Sequence, residues 1–190
     1  AIDSVPLTAI AFFMLTGELM TSATITDRLV ALSRALIGRI RGGLAQVNVL
    51  VSMFFAGMNG SVVADTATVG ALVLPAMKKA GYPAAFSAAV TGVSSTIGGI
   101  IPPSIMMIVL ANSTEISIAA LFAAGIIPGV LIGVVIMIIN HYFAIKYNFE
   151  RSDEPFSLLL AGYEFHRSSF ALFLLLVLVG SVMGCVASVV

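Results

Sequence analysis

The sequence predicts an all-α polytopic membrane protein, and three observations carry that reading. Of its 190 residues 59% are apolar and only 9% charged, long stretches hold no charge, and two of those stretches are broken by glycine, proline and hydroxyl residues. A soluble domain carries about 25% charged residues, so this composition could not cover a water-facing surface. Lys+Arg 9 and Asp+Glu 9 cancel, and without a basic excess no nucleic acid is expected as a partner. The one cysteine, Cys185, excludes a disulfide framework within the chain and a Cys-rich metal site. The chain opens on Ala1 and apolar sequence without a charged n-region or a small-residue cleavage site, so it does not start with a signal peptide. It reads as a piece of a longer polypeptide.

The charges place the elements in order. A helix needs about 20 apolar residues to cross the hydrocarbon core. Residues 1–23 are expected to form a first transmembrane helix, with Ile2–Met20 crossing and Glu18 at the membrane edge. Residues 24–41 differ: Ile25, Leu29, Leu32, Leu36 and Ile40 recur at helical spacing, with Asp27, Arg34 and Arg41 opposite. Thr24 and Asp27 resemble a capping box. That pattern predicts an amphipathic arm on the inner membrane surface. Residues 115–147 and 168–190 each supply a full span, and residues 148–167 form a charged connector. Placing every Lys and Arg on the cytoplasmic side, as the positive-inside rule favours, gives one self-consistent topology with only Asp3 and Glu115 outside.

The two remaining stretches are interrupted. In residues 42–79, Gly57-Met58-Asn59-Gly60-Ser61 breaks the run and Asp65 follows. The arms expected on either side, residues 42–56 and 66–77, would reach about 22 Å and about 18 Å at 1.5 Å per residue. Neither crosses, and both end beside basic residues, which predicts a re-entrant helical hairpin with its tip at mid-membrane. Residues 80–114 do cross, but the run from Ser94 to Ser104 holds Gly98, Gly99, Pro102 and Pro103. Proline clashes with the preceding turn, and Pro102 pushes Ile101 toward extended backbone, so a discontinuous helix is expected. Unwound carbonyls and hydroxyls at such breaks can coordinate a hard cation, while half-helix N-termini attract an anion. Asn59, Ser61, Ser94, Ser95, Thr96 and Ser104 supply the side-chain oxygens.

At these residues the sequence resembles the large membrane subunit of the tripartite ATP-independent periplasmic (TRAP) transporters. The matching stretches are Phe12–Met20, Arg41–Ala45, Gly60–Asp65, Leu74–Tyr82, Ser94–Gly98 and Ile100–Ile105, and the likeness runs from about Ile2 to Lys146. The resemblance implies one half of an inverted-repeat elevator transporter in the bacterial inner membrane. It implies Na+-coupled uptake of a small organic acid, such as a C4-dicarboxylate or a sialic acid, delivered by a periplasmic binding protein. A small membrane (Q) subunit would stand beside this one. Carried over by position, the sodium site would use Gly57, Asn59 and Ser61 at the tip with Ser95, Thr96 and Gly98 in the loop. Substrate would lie against Ser61, Ser94, Thr96, Pro102 and Ser104. Asn59 stands where the family usually has a small residue, and Gly99 where it often has proline. The first span, the arm and the Ile116–Ile145 span would form the scaffold.

Individual residues carry bland readings beside these. Asp65 is expected to cap the returning helix or support the tip. His141 and His166 are scattered and make no metal site. A hydrolase built on Ser61 and Asp65 would need a base that the hairpin lacks. Gly125, Gly129 and Gly133 at four-residue spacing suit close helix packing. No Walker A pattern is present. Two rivals stay open: a proton-coupled transporter of the same architecture, and a membrane scaffold that transports nothing.

Overall fold

Glycine, proline and serine set the element boundaries. In the computed structural model, residues 25–37 and 40–149 are described, together with isolated positions 15, 173 and 180. The first span, the last span, Glu18, His166 and the connector beyond Phe149 lie outside the described residues.

Helix α1 covers Ile25–Ile37, α2 Gly43–Asn59, α3 Val62–Lys79, α4 Ala84–Ser95, α5 Ile105–Thr114 and α6 Ile118–Lys146, with a 3-10 turn at Thr96–Gly99 between α4 and α5. All regular structure among the described residues is helical. Among them, α6 is the one helix long and apolar enough to cross a membrane. Its 29 residues give about 43 Å of length.

The arms α2 and α3 form an antiparallel hairpin. Asn48 near the start of α2 reaches the sulfur of Met77 near the end of α3, at 3.8 Å. The expected break was five residues wide; the structure narrows it to Gly60 and Ser61. Gly60 ends α2 in the left-handed region with φ 56, its N–H donating to the Ala56 carbonyl. Ser61 restarts the chain as the N-cap of α3, its hydroxyl accepting from the Ala64 N–H at 3.4 Å. The arms are therefore 17 and 18 residues long, about 26 and 27 Å, longer than expected and still short of the roughly 30 Å core.

The expected discontinuous helix is present as α4, the 3-10 turn, a bend through Pro102 and Pro103, and α5. The Pro102–Pro103 peptide bond is cis. Ser104 caps α5, accepting from the Met107 N–H at 3.4 Å and donating to the Gly99 carbonyl at 2.8 Å.

Packing centres on α2, which contacts α1, α3, α4, α6 and the 3-10 turn. The arm α1 turns Leu29, Leu32 and Ser33 inward, whereas Leu36 and Ile40 are exposed. Its apolar stripe is thus only partly used against the bundle. Helix α6 lays its glycine stripe on the hairpin and the broken helix. A Cβ at Gly125 would meet Met107 and the Ile100 carbonyl, one at Gly129 would meet Ile101, and one at Gly133 would meet Met53. Gln46 of α2 adds a 2.8 Å hydrogen bond to the Met137 carbonyl of α6. This helix was expected with the scaffold, yet it is fastened to both interrupted elements. At the end of the bundle carrying Lys78, Lys79 and Lys146, Tyr82 and Phe86 pack at a tilt against Phe149, centroids 4.6 and 5.0 Å apart.

Candidate functional site

The two interruptions meet. The Ile105 N–H of α5 donates to the Gly60 carbonyl at the hairpin tip, 3.3 Å away. A side chain at Gly60 would drive its Cβ to 2.4 Å from the Pro103 carbonyl oxygen, and one at Gly98 would lie 3.7 Å from the Ser61 backbone. Glycine is required at Gly60 twice over, by its positive φ and by this backbone-on-backbone approach. Three residues proposed from the sequence are brought together here, Ser61, Gly98 and Ser104, while Pro102 is buried in the loop just before the contact.

The remaining proposed residues are distributed unevenly. Gly57 is buried in the last turn of α2, where a helix leaves its final carbonyls without intrahelical partners. Asn59 is the last residue of α2; its Oδ1 accepts from the Ser61 N–H at 3.1 Å, while its buried Nδ2 has no hydrogen-bond partner among the described residues. Thr96 points outward, its exposed hydroxyl donating to the Val93 carbonyl at 2.7 Å. Ser94 and Ser95 are fully buried and face the hairpin interior. Thr96 and Ser95, adjacent in sequence, therefore turn their hydroxyls to different surroundings.

Behind the tip runs a buried polar file of which the sequence reading singled out only Ser94. Asn48 Nδ2 donates to Thr91 Oγ1 at 2.7 Å. Ser52 Oγ donates to Ser94 Oγ at 3.2 Å, and Ser94 Oγ to Asn48 Oδ1 at 3.2 Å. Asn48 and Ser52 stand four apart on α2 and Thr91 and Ser94 three apart on α4, so each pair shares a helix face. That spacing, inside stretches otherwise apolar, was the available signal. Asp65 lies at the head of this file with no exposed surface. It does not cap α3, because Ser61 does, and Asp65 points inward from the first turn.

The donor set is neutral oxygen with one carboxylate. Among the described residues no group of three His, Cys, Asp or Glu could hold a metal ion, and His141 sits exposed on α6. Such a site suits a hard monovalent cation or an anion at helix N-termini, not transition-metal chemistry.

A helical hairpin thus meets a broken helix tip to loop, and both pack against a long apolar helix. The family model for the tripartite ATP-independent periplasmic transporter, DctM component, matches residues 1–189, and the chain belongs to this family. It is 44% identical over 138 residues to a C4-dicarboxylate TRAP transporter large permease of Pseudomonas aeruginosa, covering 73% of this chain and 32% of that protein. It is 38% identical over 184 residues to a sialic acid TRAP transporter permease of Haemophilus influenzae, covering 97% and 30%. A 2,3-diketo-L-gulonate TRAP transporter large permease of Escherichia coli is 39% identical over 178 residues, covering 94% and 42%. The chain thus spans 30% to 42% of the length of these relatives.

Proposed function

We propose that this chain carries one ion-and-substrate junction of a secondary transporter subunit that takes up a small organic acid with Na+ across the bacterial inner membrane. The observation that carries the reading is the contact of the hairpin tip with the broken-helix loop through Gly60, Pro103 and Ser104. Backbone carbonyls and hydroxyls converge there, and those already paired, as Gly60 with the Ile105 N–H and Gly99 with Ser104, keep a further lone pair. Irregular backbone at membrane depth is tolerated only where protein or a wet cavity satisfies it. A cation held between Asn59, Ser61 and the loop near Gly98 would satisfy those oxygens and draw tip and loop together. The ordered junction would then accept a carboxylate at the N-termini of α3 and α5, which Ser61 and Ser104 cap.

The relatives' names span a C4-dicarboxylate, sialic acid and 2,3-diketo-L-gulonate. All are organic acids, so the class is proposed here and no single member of it. A periplasmic binding protein would deliver the acid, and a small membrane subunit would complete the scaffold. In an elevator movement the re-entrant hairpin and broken helix would travel as one body. Because α6 is packed on both through Gly125, Gly129 and Gly133, it is assigned here to the moving body.

The test removes hydroxyls. Ser61→Ala and Thr96→Ala, each in the full-length permease, are expected to shift uptake to higher sodium. Ser61→Ala should have the larger effect, because Ser61 sits in the junction and Thr96 faces away from it. Wild-type sodium response in both variants would refute the site assignment.

A further inference from the structure

The outer face of α6 ends among cations. Leu131, Val135, Ile138, Tyr142 and Ile145 recur at three- and four-residue spacing and are 44% to 64% exposed. They lie opposite the buried stripe of Gly133, Ile136, Asn140 and Ala144. Lys146 closes the helix just beyond them, its ammonium 5.9 Å from the centroid of the Tyr147 ring, which is also exposed.

Two other stretches bring basic residues to the same end. A Cβ at Gly42 would collide with Ala144, so the exposed Arg41 stands beside the last turns of α6. Tyr82 ties in the end of α3. Its N–H donates to the Met77 carbonyl at 3.1 Å, and its ring centroid lies 4.6 Å from that of Phe149. Phe149 in turn donates its N–H to the Ala144 carbonyl at 3.0 Å. Lys78 and Lys79, which follow Met77, are both exposed. The described acidic residues are elsewhere. Asp65 is buried in the first turn of α3, and Glu115 precedes the opposite end of α6. Asp27 belongs to α1, which packs on α2 and touches neither α3 nor α6.

We infer that this end of α6 binds an anionic phospholipid, with Arg41 and Lys146 on the headgroup phosphate and Lys78 and Lys79 adding to the field around it. Its acyl chains lie along the aliphatic stripe, and Tyr142 sits at the level where chain gives way to headgroup, a depth that suits tyrosine. Basic pockets between membrane helices on the cytoplasmic side take such headgroups. The two halves of the surface favour this occupant over its rivals. An acidic protein segment would answer the cations and leave the stripe unused, whereas a neutral lipid would cover the stripe and leave the cations without a counter-charge. The inference goes beyond the transport reading and depends neither on the coupling ion nor on the acid carried.

Native mass spectrometry of the purified full-length permease tests it, with phosphatidylglycerol and phosphatidylcholine of identical chains offered in equal amounts. Wild type is expected to retain phosphatidylglycerol in preference. Arg41→Gln and Lys146→Gln should each lower that preference about fivefold, the step for one basic residue at an anionic surface. Glu115→Gln, at the other end of α6, should leave it unchanged. Equal retention of the two lipids by wild type, or a preference untouched in the Arg41→Gln/Lys146→Gln double variant, would overturn the proposal. Should Arg41→Gln fail to assemble, Lys79→Gln/Lys146→Gln decides on the same terms. A preference that emerges only when Glu150, Asp153 and Glu154 of the connector are replaced by their amides would make that acidic segment the occupant, and would overturn it as well.

Discussion

The two arms of the hairpin are nearly equal in length and unlike in surroundings. Helix α2 buries 13 of its 17 residues, whereas α3 buries 5 of 18. In α3 those include Asp65, Val69, Val73 and Met77, one stripe at four-residue spacing. In α2 the burial runs all round the helix and takes in Gln46, Asn48 and Ser52. An apolar helix whose internal polar residues bond to its neighbours is a hub, and α2 touches nearly every other described element. An arm with one buried stripe is a cover, free to face lipid, the scaffold or a cavity on its other side. The hairpin is therefore asymmetric: one arm fixes the architecture and the other closes over it.

Substitutions can break that comparison, starting at the point where the two arms join. Gly60→Ala is expected to have the largest effect, because the added Cβ meets the Pro103 carbonyl at 2.4 Å and the φ is positive. The obstacle is backbone, so it cannot swing aside. A loss of about 3 kcal/mol, or failure to assemble, is expected in thermal melts of the purified permease. Asn48→Leu on the hub arm should cost about 2 kcal/mol, since it strips partners from the buried Thr91 and Ser94 hydroxyls. Gly133→Ala on α6 should cost only about 1 kcal/mol, because its Cβ meets the flexible Met53 side chain. Val63→Ala on the cover arm should change stability by less than about 0.5 kcal/mol, as Val63 is 78% exposed. If Val63→Ala proved as damaging as Asn48→Leu, the hub-and-cover distinction would fail.

Much of this was legible in the sequence. The hairpin, the broken helix and the long span were announced by where charges stop and where glycine and proline fall. The tip was placed correctly but drawn too wide, because Gly57 lowers helix propensity without ending a helix whose neighbours are packed on every side. Only Gly60, at positive φ, does that. The cap was misassigned: Asp65 and Ser61 both suit an N-terminus, and local pattern cannot say which side chain turns toward the amides and which toward α2 and α4. The pairing of Asn48 and Ser52 with Thr91 and Ser94 is a contact between helices, invisible to a reading that takes one helix at a time. The contact of α6 with both interrupted elements was hidden for the same reason. Its glycine stripe was evident, but the partner of that stripe depends on tertiary packing.

The central claim is that the meeting of tip and loop serves sodium-coupled uptake. The most direct measurement places the full-length permease, with its membrane partner, in proteoliposomes with the cognate binding protein outside. Uptake of a candidate organic acid is then followed under an inward sodium gradient and, separately, under an inward proton gradient. The account predicts uptake that requires both sodium and the binding protein. Uptake driven by protons alone, or none from a folded complex across the candidate acids under either gradient, would contradict it.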